Sequence, residues 1–213
     1  MPAGAVIWIH GLGDSGDGWR GAFGPVERKL PNVKFHHPDA PVRPVTCNGG
    51  GRCPSWFDIV DIPVVLAEPD DPKDIEESVK TLHGLLDKVQ SEGVAPGDIV
   101  IGGFSQGGTM SLLAGLKYPK TLGGVISISG WCANRANLSA HISAEGKKTP
   151  VLMCCGDGDP VVDFSITKKS SEMLQAILGE GIEVLCPRRG MHQPDGSEMQ
   201  RVMQFMVEHL PSE

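Results

Sequence analysis

Six short runs of aliphatic and β-branched residues constrain this chain most: Ala5 to Ile9, Val33 to His37, Asp98 to Phe104, Leu122 to Ser129, Pro150 to Cys155 and Ile182 to Cys186. Several are apolar at consecutive positions and therefore on both faces, a pattern that suits strands covered from above and below. Helical patterns separate them. The clearest puts Ile75, Val79, Leu82, Leu86 and Val89 on one stripe, with Asp71 and Pro72 read as cap and first-turn proline and Gly93 as the stop. Further helices are predicted at Thr109 to Leu116, from Ser165 to about Leu178, and from Ser197 to Leu210, where Ser197 and Gln200 have the spacing of a capping box. Such alternation predicts an α/β fold, a mostly parallel central sheet with helices on both faces. With 213 residues, 40% of them hydrophobic, and no repeat or linker, residues 1–213 are expected to form a single domain. Only the segment at about 40–73, which includes "CNGGGRCPSWFDIVDIPVV", lacks clear periodicity. A loop that long in a compact domain is usually functional, and this one is expected to cover the site.

The third run opens onto Gly103-Phe104-Ser105-Gln106-Gly107, of the form G-x-S-x-G. In a chain with 28 glycines the pattern alone is weak. Its setting, a buried strand before it and a helical stretch after it, is that of a nucleophile carried on a sharp turn. The plain alternative is a glycine-rich turn that serves packing only. On the first reading Ser105 projects at the carboxyl end of a central strand, where the next helix's N–H groups favour a developing negative charge.

A serine hydroxyl needs a base, and the base an orienting carboxylate. Of the histidines after Ser105, His192 stands between the last predicted strand and the last predicted helix, whereas His209 falls within that helix and His141 in a polar stretch without an adjacent strand end. The run ending at Cys155 leads into Gly156-Asp157-Gly158-Asp159. Asp159 is the preferred acid because it stands further out towards the next loop. Asp157 is the alternative, and either could be a turn carboxylate bonded to its own backbone. For the oxyanion, the N–H of Gln106 is one expected donor. The other is the N–H of Leu12, in His10-Gly11-Leu12-Gly13 directly after the first strand.

Other classes lose ground on composition. The net charge is −7 and the 19 Lys and Arg are scattered, which argues against a nucleic-acid partner. No Walker Lys-Ser/Thr and no G-x-G-x-x-G of a nucleotide-binding unit accompanies the glycines. The six cysteines contain no C-x-x-C and read as small hydrophobes rather than disulfides or metal ligands. No cofactor or metal is expected. The N-terminal apolar run is too short for a signal peptide and no run approaches a transmembrane length, so a cytoplasmic location is expected.

Together, "HGLGDSGDGW", "DAPVRPVT", "PSWFDI", "GGFSQGG" and "GDGDPVV", in this order and spacing, resemble the acyl-protein thioesterase and small carboxylesterase (lysophospholipase-like) group of α/β-hydrolases over nearly the whole chain. The resemblance implies an α/β-hydrolase fold and a triad of Ser105, Asp159 and His192. It also implies oxyanion donors at Leu12 and Gln106, and Trp56 as a wall of an acyl pocket. Its substrates would be fatty-acylated proteins or acyl lipids, met at a membrane surface only in passing. Two departures stand out. Gly190-Met191-His192 is one residue shorter than the family's usual glycine-x-x-histidine, and "NGGGRC" replaces an often more apolar stretch in the long loop. Competing readings are a general carboxylesterase or lysophospholipase and, more remotely, a non-catalytic binding protein on the same fold.

Overall fold

The computed structural model describes residues 2–69, 73–187 and 189–212. Six strands, β1 (Gly4–Ile9), β2 (Val33–His36), β5 (Ile99–Phe104), β6 (Gly124–Ile128), β7 (Val151–Cys154) and β8 (Ile182–Leu185), form one sheet in the order β2-β1-β5-β6-β7-β8. Every neighbouring pair is parallel. Each expected strand is present to within two residues at either end. The four inner strands are buried throughout, while the edge strands β2 and β8 are only partly so.

Alternation along the strands divides the core in two. On β1, Ala5, Ile7 and Ile9 join one cluster, shared with α3 (Ile75–Ser91), α4 (Gln106–Lys117) and α6 (Phe164–Leu178). Val6 and Trp8 face the other way, towards α1 (Gly16–Arg20), α2 (Gly24–Glu27) and α7 (Gly196–His209). The stripe Ile75, Val79, Leu82, Leu86 and Val89 lies wholly in the first cluster, as its spacing predicts. The Asp71-Pro72 cap lies outside the described residues. A short α5 (Leu138–His141) follows β6.

Two local expectations need correction. The capping box of α7 is not Ser197 with Gln200. Asp195 accepts from the N–H groups of Ser197 (2.7 Å) and Glu198 (2.9 Å), and Glu198 accepts from the N–H of Asp195 (2.9 Å), so the helix starts a residue earlier. The 40–73 segment is also less irregular than expected. It contains an antiparallel hairpin of β3 (Val42–Pro44) and β4 (Arg52–Pro54), tied to α3 by Arg43 on Asp74 at 2.9 Å.

The strand order sets where a site can lie. From β1 the chain moves outward to β2, then returns past β1 and continues from β5 to β8. The crevice at such a reversal, outside the carboxyl ends of β1 and β5, is where parallel sheets bind ligands. The loops carrying Leu12 and Ser105 meet there.

Candidate active site

Ser105 separates β5 from α4 with φ 55° and ψ −119°, in a region that costs a non-glycine residue about 1–3 kcal/mol. Close packing holds it there. A Cβ on Gly107 would lie 2.1 Å from the carbonyl oxygen of Ile9, and one on Gly103 would lie 2.4 Å from that of Gly107. Both motif glycines are thus required because backbone crosses backbone. The N–H of Ser105 donates to Ile128 (2.7 Å), and its carbonyl accepts the first helical bond of α4, from Thr109 (3.1 Å).

Residues from three loops converge. His192 Nε2 lies 3.1 Å from Ser105 Oγ, and His192 Nδ1 lies 2.8 Å from Asp159 Oδ2. The other oxygen of Asp159 accepts from the N–H groups of Val161 (2.7 Å) and Val162 (2.9 Å), and its side chain is 2% exposed. A carboxylate so held can only present its free edge to the imidazole. The histidine is fixed in turn by Ser129, which donates to its carbonyl (2.7 Å), and by the Phe104 ring, whose centroid lies 4.8 Å away.

Asp157, the alternative acid, has a different job. It accepts the N–H of Arg189, and with the bond from the N–H of Gly158 to Gly190 (2.9 Å) it lays residues 189–192 on the 156–160 loop. A Cβ on Gly156 would lie 2.3 Å from the Gly190 oxygen. This close stacking accompanies the short Gly190-Met191-His192 spacing. The other two histidines that follow Ser105 lie apart: His209 packs on Phe205, and His141 ends α5.

Gln106 is the first residue of α4, so its main-chain N–H has no acceptor within the helix. Leu12 lies across the crevice, and both it and Ser105 line a groove of about 270 Å³ with Ile59, Ile62, Val64 and Trp131 among the apolar walls. Trp56 does not line this groove. It is fully buried, donates through its indole N–H to the His10 carbonyl (3.0 Å) and through its main-chain N–H to Gln106 Oε1 (2.9 Å). The expected acyl-pocket wall is therefore a member of the core behind the site.

The sheet, the strained serine turn and the three-loop convergence define an α/β-hydrolase. A family model described as phospholipase/carboxylesterase matches residues 1–210, and the chain belongs to that family. It is 40% identical over 173 residues to a probable carboxylesterase of Oryza sativa subsp. japonica, covering 80% of this chain and 64% of that protein, so the chain spans about two thirds of that relative's length. To acyl-protein thioesterase 1 of Gibberella zeae it is 37% identical over 97% of this chain and 90% of that protein. The crystal structure of Arabidopsis thaliana SOBER1 superposes with a TM-score of 0.91 at 32% identity, covering 98% of this chain and 99% of that one. Among the described residues, no helix is long and apolar enough to cross a membrane.

Proposed function

We propose that this protein is a serine hydrolase of acyl thioesters and esters, whose principal substrates are S-acylated proteins of the cytoplasm. The observation carrying the reading is the unbroken hydrogen-bonded line from Ser105 Oγ through His192 to Asp159. Ser105 gives its proton to His192 Nε2 as Oγ attacks the acyl carbonyl. The N–H groups of Leu12 and Gln106 hold the oxyanion, and Asp159 keeps the imidazole in the tautomer that accepts at Nε2. His192 then protonates the leaving thiol or alcohol. A water deprotonated by the same imidazole attacks the acyl-enzyme, and Ser105 recovers its proton. The chain acts as one domain, with Ile59, Ile62 and Val64 of the long segment before α3 walling the groove.

One observation favours a second reading. At about 270 Å³ the groove falls just below the usual range of ligand pockets, about 300–1,000 Å³, which suits a carboxylesterase of shorter acyl groups. Turnover of a palmitoyl-thioester peptide, a lysophospholipid and a short-chain ester by one preparation separates the two. A fluorophosphonate probe tests the shared chemistry. Wild type should be labelled and Ser105→Ala should not, with the fold unchanged by circular dichroism; labelling that survives in the variant would remove Ser105 from the mechanism.

A further inference from the structure

An oxyanion site works only if its two N–H donors converge on one point, because an error of about 1 Å in such a constellation can cost about a hundredfold in rate. One donor, Gln106, is held by the strand-helix turn. The other, Leu12, lies on a glycine-bracketed loop, and Gly13 has φ +75°. Something must set the distance between them.

The segment from Pro54 to Phe57 is bonded to both. On the Leu12 side, the Pro54 carbonyl accepts from the N–H of Gly13 (2.9 Å) and the Trp56 indole N–H donates to the carbonyl of His10 (3.0 Å), so the loop is held on either side of the donor. On the other side, the Gln106 side chain accepts from the N–H of Trp56 (2.9 Å) and donates to Ser55 Oγ (3.0 Å) and the Phe57 carbonyl (2.7 Å). The indole also lies against the His10 ring at 5.5 Å. Trp56, Gln106 and His10 are all fully buried, where each of these bonds is costly to lose.

We propose that Trp56 is a positioning residue for the oxyanion site: a brace from the His10 carbonyl to the Gln106 side chain that fixes the separation of the Leu12 and Gln106 N–H groups. This rests on the mechanism proposed above. It gives Trp56 no contact with substrate, and it explains why an indole stands where a phenyl ring would fill much of the same space. Only the indole brings a donor to the His10 carbonyl.

The test separates transition-state from ground-state effects. In Trp56→Phe, kcat on a short-chain ester should fall about tenfold with KM changed less than about twofold. Inhibition by a short alkylboronic acid, which takes the Ser105 oxygen onto boron while His192 receives the proton, should weaken by about the same factor, because its tetrahedral oxygen occupies the oxyanion position. Replacing Trp56 with 3-benzothienylalanine, which exchanges the N–H for sulfur in a ring of nearly the same shape, should reproduce both effects if the phenyl variant does not fold. Thr149→Ala, at a buried hydroxyl remote from the site, is the control. It removes the acceptor of the Leu122 N–H (3.1 Å) at the amino-terminal ends of β6 and β7, away from the brace, and should lower the melting temperature without changing kcat. A raised KM at unchanged kcat, or unaltered boronate affinity, would overturn the brace. Unchanged turnover in Ser105→Ala would instead overturn the mechanism on which it rests.

Discussion

Ser105 shows how a single residue can be held in an unfavourable state by its surroundings. Its positive φ, at about 1–3 kcal/mol, is sustained by the Ile128 bond and by the two glycine crossings that leave the chain no other path. Asp159 is fixed by two main-chain donors, and this separates it from Asp157, whose partner is the N–H of Arg189. Asp159→Asn keeps those shapes but presents the wrong group to Nδ1. Its kcat/KM should fall by ~10⁴-fold, whereas Asp157→Asn should lose less than about tenfold, its carbonyl oxygen still able to accept from Arg189. Steady-state kinetics on one ester decides, and the reverse ranking would transfer the role to Asp157. Ser105 and His192 were legible in the sequence because each stands beside a strand end that patterning alone defines. The choice between the two aspartates was not settled there, since both follow the same strand and only loop geometry tells them apart. The burial of Trp56 was hidden for a related reason: an aromatic in an aperiodic segment gives no sign of which way it faces.

At the scale of elements, α3 and α4 are joined at the end of α4 by Tyr118, whose hydroxyl donates to Asp87 and whose ring meets His83 edge-on at 5.1 Å. Burial first, and then the Asp87 bond, push the Tyr118 hydroxyl up to about 12. The chain has one tyrosine, so phenolate absorbance reports this group alone. The native protein should titrate near 12, against about 10 for an unperturbed phenol, and a midpoint near 10 would mean that the contact does not form. Because the folded value is the higher one, the stabilisation is complete below about pH 10 and is lost as pH rises towards 12. Gly84, within α3, offers the opposite kind of test. A Cβ there would meet nothing within 4 Å, so Gly84→Ala should stabilise the protein by about 0.5–1 kcal/mol in urea unfolding; no gain would point to helix-end fraying or a hidden contact. Helix α3 was legible because its stripe spans four turns. The β3/β4 hairpin was not, since three-residue strands containing proline carry too little alternation to read. For α7, Asp195 with Glu198 and Ser197 with Gln200 both fit the capping-box spacing, and the sequence offers no means of ranking them.

Across the whole molecule, the reversal of strand order brings together the loops after β1 and β5, and Ile59, Ile62 and Val64 from the segment between β2 and α3 line the groove beside them. The large apolar side chains exposed among the described residues are Val42, Val60, Ile62, Val65, Leu66 and Met191. Five lie in that segment and Met191 stands next to His192, so apolar exposure is concentrated in two stretches of chain, of which Ile62 reaches the groove. Ile62 both lines the groove with Ser105 and is 43% exposed, which places it where the outer part of an acyl chain would leave the protein. Since each methylene withdrawn from water contributes about 0.8 kcal/mol, loss of contact with two of them should be visible in kinetics. Ile62→Ser should therefore lower kcat/KM for a long-chain thioester about tenfold while leaving an acetyl ester within about twofold, because an acetyl group ends before it reaches Ile62. The variant should fold normally, the side chain being half in solvent already. Equal losses on both substrates would show that Ile62 supports the roof of the site rather than the chain passing beneath it, and the acyl path would then have to leave along the Trp131, Val161 and Val162 side of the groove.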